Sequence, residues 1–251
     1  MSRQTILSEN KSYWTGRAAS YSEVNQLELA TQQRQKWSDC LHAEIARQFP
    51  DRAPESLRVL EVGTGPGFFA ILLRERGYDV TAVDLTPAML AEAEETAARE
   101  GVSARFLRMD AQATDFPDGH FDAVVTRNLT WTLPNPEKAY REWFRVLRPG
   151  GVLLNFDAAY AENVRNRNQR KSWVTEKDVY GHVGITPALS EENAEITLAM
   201  PASAHPRPAW DLELAAAAGF SSACADETAG ARILGDRDLA DAPLFLLSAI
   251  K

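Results

Sequence analysis

The sequence predicts an α/β protein built on a doubly wound parallel sheet with helices on both faces, and three observations predict it. Apolar and β-branched runs of strand length alternate with helix-like segments from residue 57 to residue 157. The first run ends in VLEV (59–62) and opens into a glycine-rich turn, GTGPG (63–67), with a helix-like stretch directly after it. Acids stand at or near the ends of the first three runs, as Glu61, Asp84 and Asp110. Alternation of this kind implies βαβ crossovers and a sheet covered on both sides.

Taken in order, Leu57–Val62 is the first strand and Phe68–Arg76 (FFAILLRER) the first helix of the alternating region. Tyr78–Asp84 (YDVTAVD) is the second strand. Thr86 caps the next helix, Pro87 takes its first position and Gly101 ends it. Ala104–Met109 and Phe121–Thr126 are the third and fourth strands. Pro136–Leu147 carries apolar residues at helical spacing, and Arg148-Pro149-Gly150-Gly151 breaks it before a fifth strand, Gly151–Phe156. Trp210–Ala218 reads as a helix stopped by Gly219, with strands expected at Phe220–Glu227 and Leu244–Ile250. Residues 1–50 read as mostly helical, and 158–208 lack the alternation. The expected organisation is a helical cap (1–50), a core (51–157), an inserted segment (158–208) and a C-terminal completion of the sheet (209–251).

At 251 residues the chain is long enough for a sizeable core. It is 45% hydrophobic and 25% charged, an ordinary balance for a globular protein. A net charge of −8 argues against nucleic acid as the main partner, because phosphate binding relies on Lys and Arg. The two cysteines, Cys40 and Cys224, form no C-x-x-C pair and suggest no zinc site. The opening MSRQTILSENKSYW has no apolar core of signal-peptide length, and no run is long enough to span a membrane. A cytoplasmic setting is expected.

The glycine turn raises the question of its ligand. Dinucleotide sites carry G-x-G-x-x-G with the pyrophosphate on the helix N-terminus. Here the glycines fall at 63, 65 and 67, and position 68 is Phe. A carboxylate at Glu61 opposes a pyrophosphate but suits a cationic amino group. The combination fits an amino-acid-bearing nucleoside better than a dinucleotide. Asp84, 17 residues after Gly67, can accept hydrogen bonds from ribose hydroxyls. Asp110 can reach an adenine amino group at the same sheet edge.

With these residues in place, the sequence resembles the class I S-adenosylmethionine-dependent methyltransferases, of the small-molecule, type 11 kind. The likeness runs over about residues 57–157 in VLEVGTGPG, AVDLTPAML, MDAQATDFPDGHFDAVV and EWFRVLRPGGVLL. It implies a Rossmann-like, seven-stranded, mostly parallel sheet whose last strand is antiparallel. It also implies S-adenosylmethionine as the cofactor and S-adenosylhomocysteine as the product. By the same resemblance Glu61, Gly63 and Gly65 hold the methionine end, Gly67 belongs to the same cofactor site, and Asp84 binds the ribose. Leu85 and Met89 pack beside the adenosine, and Asp110 and Ala111 contact the adenine. Arg127 or Asn128 borders the transferred methyl group. By the same resemblance Tyr13, Trp14, Arg17 and Tyr21, on a leading helix, are expected to close over the cofactor; Tyr13, Arg17 and Tyr21 share a face at i, i+4 and i+8, and core packing alone would also account for Trp14.

A sulfonium carries an activated methyl group, so the protein has mainly to align an acceptor behind it and exclude water. Arg127, Asn128 and Asp157 are the candidate catalytic residues; Asp157 can orient an acceptor, act as a base or simply cap a helix. Trp131, Tyr160, His182 and His205 are candidates for binding a small-molecule acceptor, the last three from an inserted lid. Arg165, Arg167, Arg170 and Lys171 form a basic cluster there, which suits an anionic acceptor or a solvated face. No carboxylate directly follows the fourth strand, so a metal-independent in-line displacement is expected. Asn135-Pro136 is followed by Glu137-Lys138, so an adenine-methylating NPPY signature is absent. A non-catalytic S-adenosylmethionine-binding module and a nicotinamide oxidoreductase remain as competing readings. The acceptor atom and the choice between monomer and homodimer stay open at this level.

Overall fold

A computed structural model describes residues 3–170, 185–235, 238 and 242–251, without side chains for 3–7 and 167–170. Two helices lead, α1 (Arg3–Leu29) and α2 (Gln32–Gln48). The alternating region follows as β1 (Arg58–Val62), α3 (Phe68–Glu75), β2 (Asp79–Asp84), α4 (Pro87–Arg99), β3 (Arg105–Arg108), β4 (Phe121–Arg127), α5 (Pro136–Val146) and β5 (Leu147–Asp157). The chain continues with α6 (Tyr160–Arg170), α7 (Pro187–Ala199), α8 (Ala209–Ala218), β6 (Ser222–Asp226), α9 (Ala229–Ile233) and β7 (Phe245–Ile250).

The seven strands form one sheet in the order β3-β2-β1-β4-β5-β7-β6. The first five pair in parallel, and β7 runs antiparallel between β5 and β6. The sheet is thus mixed, and strand order reverses between β1 and β4, where doubly wound sheets bind ligands. Strand periodicity divides the core. Val59, Ala123 and Leu154 join the apolar cluster under α2, α3 and α9, while Leu60, Val124 and Leu153 join the cluster under α5 and α8.

Two local features differ from the sequence expectation. The Arg-Pro-Gly-Gly break does not precede β5 but bulges within it. Pairing with β4 jumps from Phe121↔Leu147 to Ala123↔Val152. Gly151 is needed there because a Cβ would meet Arg148 O at 2.8 Å. The short helix α9 was not anticipated, since five residues carry too little periodicity to read. Among the described residues no helix is long and apolar enough to cross a membrane.

Candidate functional site

The ends of β1, β2 and β4 open into a cleft that encloses about 960 Å³ out to its mouth. Its floor is the glycine turn. Gly63 N and Thr64 N donate to Val83 O at 2.8 and 3.0 Å, which pins the turn to β2. Gly63 has φ +68°, a conformation that residues with a Cβ rarely adopt, and a Cβ there would also fall 2.7 Å from Leu129 Cδ1. Gly65 N donates to Asp84 Oδ2 at 2.9 Å, and Thr86 N donates to Asp84 Oδ1 at 2.8 Å. One carboxylate therefore holds both the glycine turn and the start of α4.

Gly67 does not reach the cleft lining. It is the left-handed N-cap of α3, and a Cβ would lie 3.1 Å from Ala93 Cβ of α4. Its place is close helix packing, which corrects its assignment as a ligand-contacting residue.

Glu61 is 3% exposed, and its Oε2 accepts from Thr64 Oγ1 at 2.6 Å. Burial pushes its carboxyl up to about 8, and the neighbouring Asp84 adds to the rise. Desolvation likewise raises Asp84 above its ordinary value. Burial makes both carboxyls costly to ionise, a cost that a cationic group beside Glu61 offsets. Asp110 Oδ1 accepts from Gln112 N at 2.9 Å and Gln112 Nε2 at 3.0 Å. Leu85, Met89, Asp110 and Ala111 all line the cleft.

The roof is α1, but it presents a different face from the one expected. Asn10, Trp14, Tyr21 and Asn25 line the cleft; Tyr13 and Arg17 do not. Residues seven apart lie within about 20° on a helix, so Trp14 and Tyr21 share a face. Tyr13 sits about 100° away. Its hydroxyl accepts from Asn193 Nδ2 at 2.9 Å, and its ring packs with Ile196 and Met200, tying α1 to α7. Arg17 is buried, with Nη1 donating to Ser20 Oγ at 2.6 Å. Trp14 meets Tyr21 edge-on at 5.5 Å and Trp131 at 6.3 Å.

Arg127 lines the cleft and is held by a residue the sequence reading did not single out. Its Nη1 and Nη2 donate to Glu28 Oε2 and Oε1 at 3.0 and 2.6 Å, and its guanidinium lies 4.5 Å from the Trp37 ring centroid. A signal for Glu28 existed, since it falls seven residues after Tyr21 on the same helix face. Asn128 has φ +54°, unusual for a side-chain-bearing residue. Its N donates to Phe156 O at 2.8 Å, and its Oδ1 accepts from Tyr160 Oη at 2.8 Å.

Asp157 is not presented to the cleft. It is fully buried, accepts from Trp131 N and Arg207 Nη2 at 3.1 Å each, and takes Ala158 N at 2.8 Å. Arg207 also pairs with Asp211, which accepts from Tyr140 Oη at 2.9 Å. This network anchors the segment after β4, so the assignment of Asp157 as a catalytic group is corrected to a supporting one. The link from Arg207 to Asp157 left no local signal, because the two lie 50 residues apart, whereas Arg207 and Asp211 pair at i, i+4.

The acceptor candidates gather elsewhere. Trp131, Tyr160, His205 and Arg207 line a smaller cleft of about 270 Å³. Trp131 packs on Tyr160 at 5.1 Å, and His205 stacks on Trp210 at 4.1 Å. Burial raises the Tyr160 phenol well above its ordinary value. Arg165 Nη2 donates to Ser203 O at 2.5 Å. His182 and Lys171 lie outside the described residues, as do the side chains of Arg167 and Arg170.

Known proteins resemble this chain in sequence over the core and in fold over most of its length. Residues 60–155 match the family described as a methyltransferase domain. The demethylmenaquinone methyltransferase of Thermus thermophilus is 43% identical over 106 residues, 41% of this chain and 47% of that protein. The malonyl-[acyl-carrier protein] O-methyltransferase of Enterobacter lignolyticus is 32% identical over 164 residues, 64% of this chain and 58% of that protein. The chain thus spans about half the length of these curated relatives. In fold, a structure described as a putative S-adenosyl-L-methionine-dependent methyltransferase of Methanococcus maripaludis superposes with a TM-score of 0.58 at 18% identity. It covers 93% of this chain and 91% of that one. Residues 60–155 are thus similar to a methyltransferase domain, and the likeness in fold extends over the whole seven-stranded sheet.

Proposed function

We propose that the protein transfers the methyl group of S-adenosylmethionine to a small-molecule acceptor, without a metal, releasing S-adenosylhomocysteine. The observation that carries this is the buried Glu61 beside Asp84 at the switch point of the sheet, a pair suited to an ammonium group next to a ribose. Bound S-adenosylmethionine supplies an activated methyl group on sulfur. Glu61 takes the amino group, Asp84 the ribose hydroxyls, and Asp110 the adenine amino group. The bare backbone at Gly63 and Gly65 allows close approach. Trp14 and Tyr21 cover the cofactor and exclude water. Asn128, fixed by β5 and Tyr160, borders the methyl group, and Trp131 shapes the acceptor side. The acidic chain favours a small acceptor over nucleic acid, in a cytoplasmic setting.

The test is transfer of a radiolabelled methyl group from S-adenosylmethionine into a size-fractionated cell extract. Enzyme-dependent label in the small-molecule fraction is the expected result. Label confined to protein or nucleic acid would overturn the acceptor class. Binding of S-adenosylhomocysteine without label in any fraction of several extracts would favour a non-catalytic module.

A further inference from the structure

We propose that Asn10 is a cofactor-specificity residue, its Oδ1 accepting a hydrogen bond from the adenine amino group opposite Asp110. The inference rests on the cofactor reading above. Asn10 lines the cleft but is only 8% exposed. Its Nδ2 donates to Thr132 O at 2.9 Å, which fixes the orientation of the amide. Its Oδ1 is buried with no hydrogen-bond partner among the described residues. A buried carbonyl oxygen left unmatched is costly, so a donor from a ligand is the natural complement.

The position of Asn10 along α1 identifies which donor. Asn10 and Asn25 both line the cleft and lie 15 residues apart, about 22 Å along a helix. Asn25 Nδ2 donates to Glu28 at 3.2 Å, so it belongs to the Arg127 end. Asn10 belongs to the opposite end. Its anchor, Thr132, is followed by Leu133 on the cleft wall and by Asn135, whose N donates to Gln112 Oε1 at 2.9 Å. Gln112 in turn holds Asp110. Asn10, Leu133, Gln112 and Asp110 therefore ring one end of the cleft, the end that takes the base. An exocyclic amino group has two N–H donors. Asp110 and Asn10 supply two acceptor oxygens, one from the sheet edge and one from the roof helix.

The experiment compares the dissociation constants of S-adenosylhomocysteine and S-inosylhomocysteine, in which an oxygen replaces the amino group. The wild type is expected to prefer the adenosyl compound. Asn10→Leu is expected to shrink that preference about fivefold to twentyfold, chiefly by weakening the adenosyl compound. Asn10→Asp loses the donor to Thr132 O but keeps an oxygen facing the base, and is expected to retain most of the preference. An equal loss for both ligands in Asn10→Leu would overturn the proposal and leave Asn10 as an anchor of α1. Failure of the folded wild type to bind S-adenosylhomocysteine would instead remove the cofactor reading beneath it.

Discussion

Glu28 on α1 and Arg127 at the end of β4 form a two-point ion pair, 2.6 and 3.0 Å long, with the Glu28 side chain 1% exposed and that of Arg127 12% exposed. It joins the roof helix to the strand that borders the cleft. Trp37 and Phe68 cover the guanidinium at 4.5 and 5.0 Å. A buried pair of this kind adds little net stability, but losing one partner strands the other charge.

Glu28→Gln should therefore lower unfolding stability by about 3–5 kcal/mol and loosen α1 from the cleft. Thermal denaturation measures the first effect. Protease cleavage within residues 1–30 measures the second and should be faster in the variant. Unchanged stability together with unchanged cleavage would mean that the pair does not fasten the roof.

The carboxyl of Glu61, pushed up to about 8 by burial, sets a pH dependence. Below that pH the ligand-free protein holds Glu61 protonated, whereas an ammonium ligand requires the carboxylate. Binding of S-adenosylhomocysteine then releases a proton, and affinity rises with pH toward 8. At higher pH the ligand's own amino group loses its proton and affinity falls again. Folding has the opposite dependence. The folded-state value lies above the ordinary 4.5, so this group's contribution to stability is complete below 4.5 and is lost as pH rises through about 8. Calorimetric titrations across pH 6–9 should show the binding maximum, and Glu61→Gln should flatten its rising limb.

Two neighbouring glycines should respond differently. Gly63→Ala places a Cβ 2.7 Å from Leu129 at φ +68°, directly in the cleft floor. It should cost about 1–3 kcal/mol of stability and also weaken cofactor binding by tenfold or more. Gly67→Ala presses on Ala93 at 3.1 Å, away from the lining. It should lower the melting temperature with a smaller change in affinity. Equal affinity losses in both would contradict the separation of the two roles.

Arg207 sits between two buried carboxylates, at 3.1 Å from Asp157 and 2.7 Å from Asp211. Arg207→Met should destabilise the fold by about 3–5 kcal/mol, because both acids lose their counter-charge. It should also release Trp131, whose N depends on Asp157, and change the tryptophan emission of the folded variant. A stable variant with unaltered emission would show that the network does not hold the segment after β4.

Much of this site could be read from the chain because its parts are local. Glu61, the glycine turn, Asp84 and Asp110 each sit within a few residues of a strand end, where apolar periodicity and turn chemistry locate them. The face of α1 was not legible in the same way. Tyr13, Arg17 and Tyr21 form one plausible ridge and Asn10, Trp14, Tyr21, Asn25 and Glu28 another. The choice is made by α7, which covers Tyr13 through Asn193. Asp157 reads in the sequence as a base, an acceptor anchor or a helix cap, and its ion pair is hidden because Arg207 lies 50 residues along the chain. The Arg148–Gly151 turn was read as a boundary because Pro and Gly usually end an element, whereas here β5 continues past the bulge.

The most direct measurement is calorimetric titration of S-adenosylhomocysteine into the wild type and into Asp84→Ala, with NADH as a control ligand. The wild type should bind the nucleoside and not NADH. Asp84→Ala, folded, should lose one to two orders of magnitude in affinity, since ribose hydroxyls lose their acceptor. Equal affinity in the two proteins, or tight binding of NADH alone, would contradict the assignment of this cleft to S-adenosylmethionine.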